Sequence, residues 1–129
     1  MGTPLPESAK RLLDEKTFVT VATVNPDGSP QTSVLWAKRD GDDIVLSTIR
    51  GRRKTRNLER DPRVSVLGFD PANPYQYFEV RGRAELTEEG GRELIDELSV
   101  KYTGKPYTAD GPDVVRVVVR ISADRITGR

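Results

Sequence analysis

Two strands and the turn between them are encoded by residues 17–36, which read TFVTVATVNPDGSPQTSVLW. Residues 17–24 are rich in β-branched side chains, which favour an extended backbone. In residues 25–28 (NPDG), the proline suits the second position of a turn and the glycine tolerates a positive φ. We therefore predict a strand over residues 17–24, a tight turn, and a return strand over residues 31–39.

The rest of the chain repeats this combination of β-rich segments and turn signals. We predict further strands over residues 44–49, 63–69, 75–86, 114–121 and 125–127. The alternation in the long segment places on one face Phe78, Val80, Gly82, Ala84 and Leu86. The alternation in residues 114–121 directs inward Val115, Val117, Val119 and Ile121, and outward Arg116 and Arg120.

Helical patterns occupy three of the connections. They cover residues 6–15, 52–60 and 87–102, with Thr87 as the N-cap of the last helix and Gly104 at its end. The predicted fold is mainly β, a single domain over residues 1–129 with six to seven antiparallel strands and about four short helices. Because strands at this spacing need closure or covering to remove their edges, a β-barrel is favoured.

The composition excludes several kinds of chemistry. The 129 residues contain no cysteine and no histidine, and 21 basic residues nearly balance 20 acidic ones. Thiolate nucleophiles, Ser-His triads and imidazole ligands are therefore excluded, and we predict no metal site. An enzyme of this composition would depend on a bound organic cofactor. Because no apolar run approaches the roughly 18 residues of a membrane span and no signal-peptide pattern opens the chain, we expect no membrane span and a cytoplasmic location.

A basic cluster follows the third predicted strand, where residues 47–58 read STIRGRRKTRNL. A strand here runs through a glycine turn into a basic helix, whose N-terminal amides are unpaired and partly positive. A phosphate at this position would gain backbone hydrogen bonds together with Arg and Lys contacts. A solvated helix face and a nucleic-acid patch remain as alternatives, although the interleaved Glu59 and Asp61 argue against a long nucleic-acid footprint.

The order of these segments resembles a known family. Residues 17–36, residues 44–66 (IVLSTIRGRRKTRNLERDPRVSV) and residues 77–86 (YFEVRGRAEL) are together similar to the pyridoxamine 5′-phosphate oxidase-like FMN-binding split-barrel family. In particular they resemble its actinobacterial branch that uses coenzyme F420, the flavin/deazaflavin oxidoreductases of the B type. The most specific part is the R-x-K-x-R-N-L pattern that starts at Arg52, followed by D-P-R. The resemblance implies a split β-barrel and a homodimer with two cofactor sites, each formed across the subunit interface.

The resemblance also implies which residues bind the cofactor. Arg52 and Lys54 would hold its phosphate. The approach to the phosphate site would be lined by Ser47, Thr48, Ile49 and Arg50. The ring system would be faced by Gln31, Thr32, Ser33 and Val34. The partner subunit would contribute Gln76, Tyr77 and Phe78.

Aromatic residues near these segments have more than one interpretation. Tyr77 lies on the polar face of its predicted strand, where an aromatic ring must meet solvent, a partner or a ligand, so it is a possible proton donor or a dimer contact. Trp36 fits an interface or the core better than a cofactor contact. Lys101, Tyr102 and Tyr107 could close the site as a loop, although packing at the helix end is the favoured role.

The function that these expectations support is coenzyme F420-dependent hydride transfer to an unsaturated small molecule. An FMN-dependent oxidase or reductase on the same fold is the second hypothesis, because the phosphate site would serve either cofactor. Pyridoxamine phosphate oxidation itself is disfavoured, since the chain is shorter than that enzyme and lacks its C-terminal substrate-binding extension. A non-catalytic cofactor carrier or nucleic-acid-binding module is the third reading, and nucleic acid is not an expected partner.

Overall fold

The computed structural model describes residues 2–128 of the chain. Seven β-strands cover Val19–Val24 (β1), Pro30–Leu35 (β2), Lys38–Asp40 (β3), Asp43–Ile49 (β4), Arg63–Asp70 (β5), Asn73–Thr87 (β6) and Arg116–Gly128 (β7). Three helices cover Glu7–Asp14 (α1), Arg53–Arg60 (α2) and Gly91–Thr103 (α3). The prediction of a mainly β protein is confirmed, and the described residues form three helices where about four were expected.

The strands form one antiparallel sheet in the order β2-β1-β5-β6-β7-β4-β3. Its two edge strands, β2 and β3, are separated along the chain by Trp36 and Ala37 alone. The sheet must therefore curl until its edges lie beside each other. Because β2 and β3 share no hydrogen-bonded ladder, the resulting barrel is open along one line.

The predicted single return strand over residues 31–39 is wrong, because the chain leaves the β1 ladder after Leu35. Side chains of α3 form hydrogen bonds with the backbone groups at the bend. The Ala37 amide donates to Tyr102 Oη at 3.1 Å, and Lys101 Nζ donates to the Ala37 carbonyl oxygen at 2.6 Å. Tyr102 Oη in turn donates to the Thr17 carbonyl oxygen at 2.5 Å. Lys101 and Tyr102 thus pack at the helix end, the favoured sequence interpretation.

The two last predicted strands are one continuous strand, β7, which pairs with β6 over nearly its whole length. The pairing register shifts between Arg81 and Gly82, where Asp124 is skipped as a β-bulge. A Cβ atom on Gly82 would lie 1.9 Å from the carbonyl oxygen of Ser122. Only glycine therefore fits this close approach of two backbones.

The barrel interior is apolar and is capped by α1. Most residues of the predicted β6 and β7 faces are buried, as are three residues of the amphipathic α1: Phe78, Val80, Gly82, Ala84, Val117, Val119, Ile121, Ala9, Leu12 and Leu13. Leu86 is only partly buried. Val115 was predicted to point inward, but it precedes β7 and is 42% exposed. Its carbonyl oxygen instead accepts a hydrogen bond from the Arg50 amide at 2.9 Å.

Helix α3 starts later than the sequence predicts. Thr87 is the last residue of β6, and its Oγ1 accepts a hydrogen bond from the Glu89 amide at 3.2 Å within the following turn. The N-cap of α3 is Gly90, with a φ of 81° that favours glycine. The helix covers the outer face of β4 and β7, where Leu94 and Leu98 pack against Val45.

Candidate functional site

Helix α2 is fixed at the end of β4 by two fully buried polar residues. Thr55 Oγ1 donates to the Ile49 carbonyl oxygen at 2.7 Å. Asn57 Nδ2 donates to Thr23 Oγ1 at 2.9 Å and to Asn25 Oδ1 at 3.0 Å. Since buried polar groups are costly unless they are hydrogen-bonded, these bonds hold the basic first turn of α2 against β4 and the β1–β2 hairpin.

A cleft of about 270 Å³ opens beside that turn, bounded by β2, β4, β7 and α3. Its apolar wall is formed by Phe18, Val34, Leu35, Trp36, Ile95, Leu98 and Tyr107. Its polar end is formed by Ser47, Arg52 and Arg116. An apolar wall that joins a cationic end suits a flat ring system carrying an anionic group.

The cationic end of the cleft is not fully neutralised. Among residues 2–128, no carboxylate lies within 4.0 Å of the charged nitrogens of Arg52 or Lys54. Burial lowers the pKa of the half-buried Lys54, and the nearby charges of Arg52 and Arg116 lower this pKa further. The arrangement therefore favours an incoming anion, which would restore charge balance.

The sequence interpretation placed Arg116 on the outward face of its strand and did not recognise it as a site residue. Its side chain is only 10% exposed, because the face of β7 on which it lies is covered by α3 and the loop after α3. Arg116 Nε and Nη2 donate to the two oxygens of Asp110 at 2.7 and 2.8 Å. Its guanidinium lies 4.9 Å from the ring centre of Tyr107, and Nη1 donates to Ser47 Oγ at 3.3 Å. Tyr107 thus contributes to the cleft wall from that loop.

The predicted residues on β2 alternate between the two faces of the sheet. Thr32 and Val34 point outward, and Val34, 64% exposed, lines the cleft. Gln31 and Ser33 lie on the opposite face. Gln31 Oε1 accepts a hydrogen bond from Thr23 Oγ1 at 2.7 Å, whereas Ser33 Oγ is buried without a hydrogen-bond partner among the described residues.

Of the predicted residues at the end of β4, some line the cleft and others hold α2 in place. Ser47 lines the cleft. Thr48 is buried with its Oγ1 2.9 Å from Thr55 Oγ1, and Ile49 accepts the Thr55 hydrogen bond described above. Arg50 forms ion pairs with Glu59 and Glu88 and does not line the cleft.

The predicted residues on β6 do not reach this cleft within one chain. Gln76 and Tyr77 are half-buried near the start of the strand, and Tyr77 pairs with Phe69 of β5. The Phe78 side chain is 2% exposed in the barrel interior, so it has almost no surface left for a ligand.

Residues 2–128 contain neither a cluster of metal ligands nor a membrane-spanning helix. That part of the chain holds no group of three or more His, Cys, Asp or Glu side chains placed to bind a metal ion. None of its helices is long and apolar enough to cross a membrane.

Comparison with known proteins identifies the family. The family model for pyridoxamine 5′-phosphate oxidase matches residues 5–128. The chain belongs to the pyridoxamine 5′-phosphate oxidase family. Curated members of this family share part of the sequence: the pyridoxine/pyridoxamine 5′-phosphate oxidase of Aeromonas hydrophila is 38% identical over 64 residues, and that of Vibrio vulnificus is 40% identical over 63 residues. These segments are 49% and 48% of this chain but 30% of each relative, so the similarity spans under a third of the oxidases' length.

Several solved structures are similar to nearly the whole chain. A protein named F420 reductase has a TM-score of 0.86 and 31% identity, with 97% of this chain and 100% of that chain covered. A conserved hypothetical protein of Mycobacterium tuberculosis has a TM-score of 0.78 and 30% identity, with 97% of this chain and 84% of that chain covered. A third protein, from Listeria innocua, is 20% identical with a TM-score of 0.72, covers 95% and 97%, and supports the fold alone. The split-barrel prediction is confirmed.

Proposed function

We propose that the protein is a coenzyme F420-dependent oxidoreductase that transfers a hydride from the reduced deazaflavin to an unsaturated small molecule. The observation that carries the proposal is the cleft in which the aromatic wall around Trp36 meets Arg52. Lys54 does not line the cleft but lies near Arg52 and Arg116, whose charges add to burial in lowering its pKa. Similarity to the F420 reductase extends over both chains, whereas similarity to the curated oxidases is confined to about half of this one. This difference favours F420.

The donor set of the cleft fits such a cofactor. Arg52 and Lys54 would hold its phosphate at the start of α2, with Ser47 as a further hydroxyl donor. Val34 and Trp36 would pack on its ring system. The bound deazaflavin would supply the hydride, and the protein would fix the distance and angle between the ring and the substrate.

The outer face of β1, β2 and β5 is unusually apolar for a solvent-facing surface. Its exposed side chains include Phe18 (57%), Val34 (64%), Leu67 (39%) and Phe69 (41%). Phe18 and Val34 also line the cleft. A second copy of the chain that covered this face would therefore complete the cofactor site and remove the apolar patch from water.

The proposed homodimer also accounts for the residues of β6. Tyr77 pairs with Phe69 and is half-buried. Gln76 and Tyr77 of the partner subunit would then approach the ring, and the hydroxyl of Tyr77 is the candidate proton donor to the reduced substrate. The buried ring of Phe78 would support this segment from within its own barrel.

Cofactor titration tests the proposed function. Purified protein is titrated with oxidised and reduced F420 and with FMN, and ring fluorescence is followed. We expect binding of F420 to be tighter than binding of FMN. The reverse order would favour an FMN-dependent oxidase or reductase, which the family membership supports as the second candidate. Binding of neither cofactor would contradict both and leave a non-catalytic module.

Substitution Leu67→Lys tests the dimer. Leu67 is central in the apolar face, and two-fold symmetry would bury two unpaired lysines, at a cost of several kcal/mol each. We expect the variant to sediment as a folded monomer and to bind cofactor more weakly. Val100→Lys is the matched control, because Val100 is 49% exposed on α3, away from this face. A wild-type protein that sediments as a monomer would contradict the proposed dimer.

A further inference from the structure

Arg116 is held rigidly at the polar end of the cleft. Its guanidinium forms a side-on pair with Asp110, whose side chain is 7% exposed, and hydrogen-bonds to Ser47. An arginine side chain normally samples many rotamers, so this pairing removes much of the entropy that ligand binding would otherwise cost. Arg116 is thus already oriented before a ligand arrives.

The guanidinium retains unused donors. Of its five N–H groups, Nε and one each on Nη1 and Nη2 are taken by Asp110 and Ser47 in the hydrogen bonds of the described chain. Two N–H groups are left over. Since Ser47, Arg52 and Arg116 line the same end of the cleft, an anion beside Arg52 lies within the region that Arg116 also faces.

The loop between α3 and β7 is anchored to α3, which keeps Asp110 in place. Arg92 Nη2 donates to the Tyr107 carbonyl oxygen at 2.5 Å, and its Nη1 donates to Asp110 Oδ2 at 3.2 Å. Asp96 Oδ1 accepts a hydrogen bond from the Tyr107 amide at 3.0 Å. The hydrogen bond from Arg116 lowers the pKa of Asp110, so this carboxylate stays ionised at neutral pH.

We propose that Arg116 is a third phosphate-binding residue of the cleft, oriented by Asp110 and covered by Tyr107. The ligand chemistry is an organic phosphate, and the proposal commits to the phosphate of the cofactor, so it rests on the proposed function. Three cations against the single carboxylate of Asp110 leave the site with a net charge of about +2, which suits a phosphate group. The competing reading is that the Arg116–Asp110 pair merely pins the loop.

Substitution Arg116→Met separates the two readings. The first titration uses inorganic phosphate and follows the fluorescence of Trp36, the single tryptophan, which lies on the cleft wall. The second compares ligands with and without the phosphate, namely FMN with riboflavin, which differ by the phosphate alone, and F420 with its deazaflavin chromophore, which lacks the phosphate together with the tail beyond it. We expect Arg116→Met to raise the dissociation constants of inorganic phosphate and of the phosphate-bearing ligand by about tenfold. The dissociation constant of the ligand without phosphate should change by less than about twofold.

Arg120→Met is the matched control, because Arg120 lies on the same strand, pairs with Asp40 and Asp43 and does not line the cleft. Arg116→Lys keeps the positive charge but not the paired N–H donors of the guanidinium, so it should lose less affinity than Arg116→Met. The inference would be overturned if Arg116→Met lowered the affinity for both ligand forms equally, or for neither. It would also be overturned if the wild-type protein did not bind inorganic phosphate. Phosphate binding that depends on Arg116 without binding of F420 or FMN would support the phosphate site while contradicting the proposed function.

Discussion

Replacing Arg52 and Lys54 together by alanine should abolish cofactor binding and leave the fold intact. Charge-assisted hydrogen bonds contribute about 1.5 to 3 kcal/mol each, so the loss of two should raise the dissociation constant by at least about a hundredfold. Neither side chain belongs to the barrel interior or to an ion pair among residues 2–128. The thermal unfolding midpoint should therefore change little, and titration with F420 or FMN measures the affinity.

Arg53→Ala with Arg56→Ala is the control for this double variant. It removes the same charge from neighbouring positions of the chain, but both residues are exposed and neither lines the cleft. Its affinity should stay close to that of the wild type at moderate salt. If both double variants lose affinity equally, the cofactor is attracted by the overall positive charge of this region and not by a defined phosphate site. Unchanged affinity of the Arg52 and Lys54 variant would remove the proposed site.

Gly82→Ala should destabilise the protein more than other single alanine substitutions at its glycines with ordinary φ. The new Cβ would lie 1.9 Å from the Ser122 carbonyl oxygen and 2.9 Å from the Ser122 carbonyl carbon, both backbone atoms. The β6–β7 ladder would have to move at its bulge, which costs about 3 kcal/mol and lowers the unfolding midpoint by about 10 °C. Thermal unfolding followed by circular dichroism measures this change.

Gly111→Ala is the matched control. A Cβ atom at this position meets nothing within 4 Å, and the φ of Gly111 is not positive. The substitution should leave the unfolding midpoint nearly unchanged or raise it slightly, because alanine restricts the unfolded chain. Equal midpoints for the two variants would mean that the bulge at Gly82 adapts to a methyl group.

The local elements were predictable because their signals are local. The β-branched run before the NPDG turn predicted the β1–β2 hairpin, and alternation predicted the buried face of β6. The break at Trp36–Ala37 was not predictable from this pattern. It depends on hydrogen bonds between Ala37 and the side chains of Lys101 and Tyr102, more than 60 residues away along the chain, and no local propensity encodes such partners.

The candidate site was predictable in part. The basic turn pointed to Arg52, Lys54 and Ser47, which lie at or beside the polar end of the cleft. Arg116 was missed because alternation assigns it to the outer face of β7, and a sequence pattern does not tell whether a helix and loop cover that face. The pairing of an arginine with Asp110, six residues earlier, was the available signal.

The line along which the barrel stays unjoined also passes through the cleft. Val34 and Trp36 lie next to that line, whereas Ser47 and Arg116 lie on β4 and β7, whose ladder is continuous. No ladder joins β2 to β3 across that line, so the bend at Trp36–Ala37 is held instead by the hydrogen bonds of Ala37 with Lys101 and Tyr102. The two sides of the cleft are therefore positioned by separate strand pairings, β4 with β7 on one side and β2 with β1 on the other.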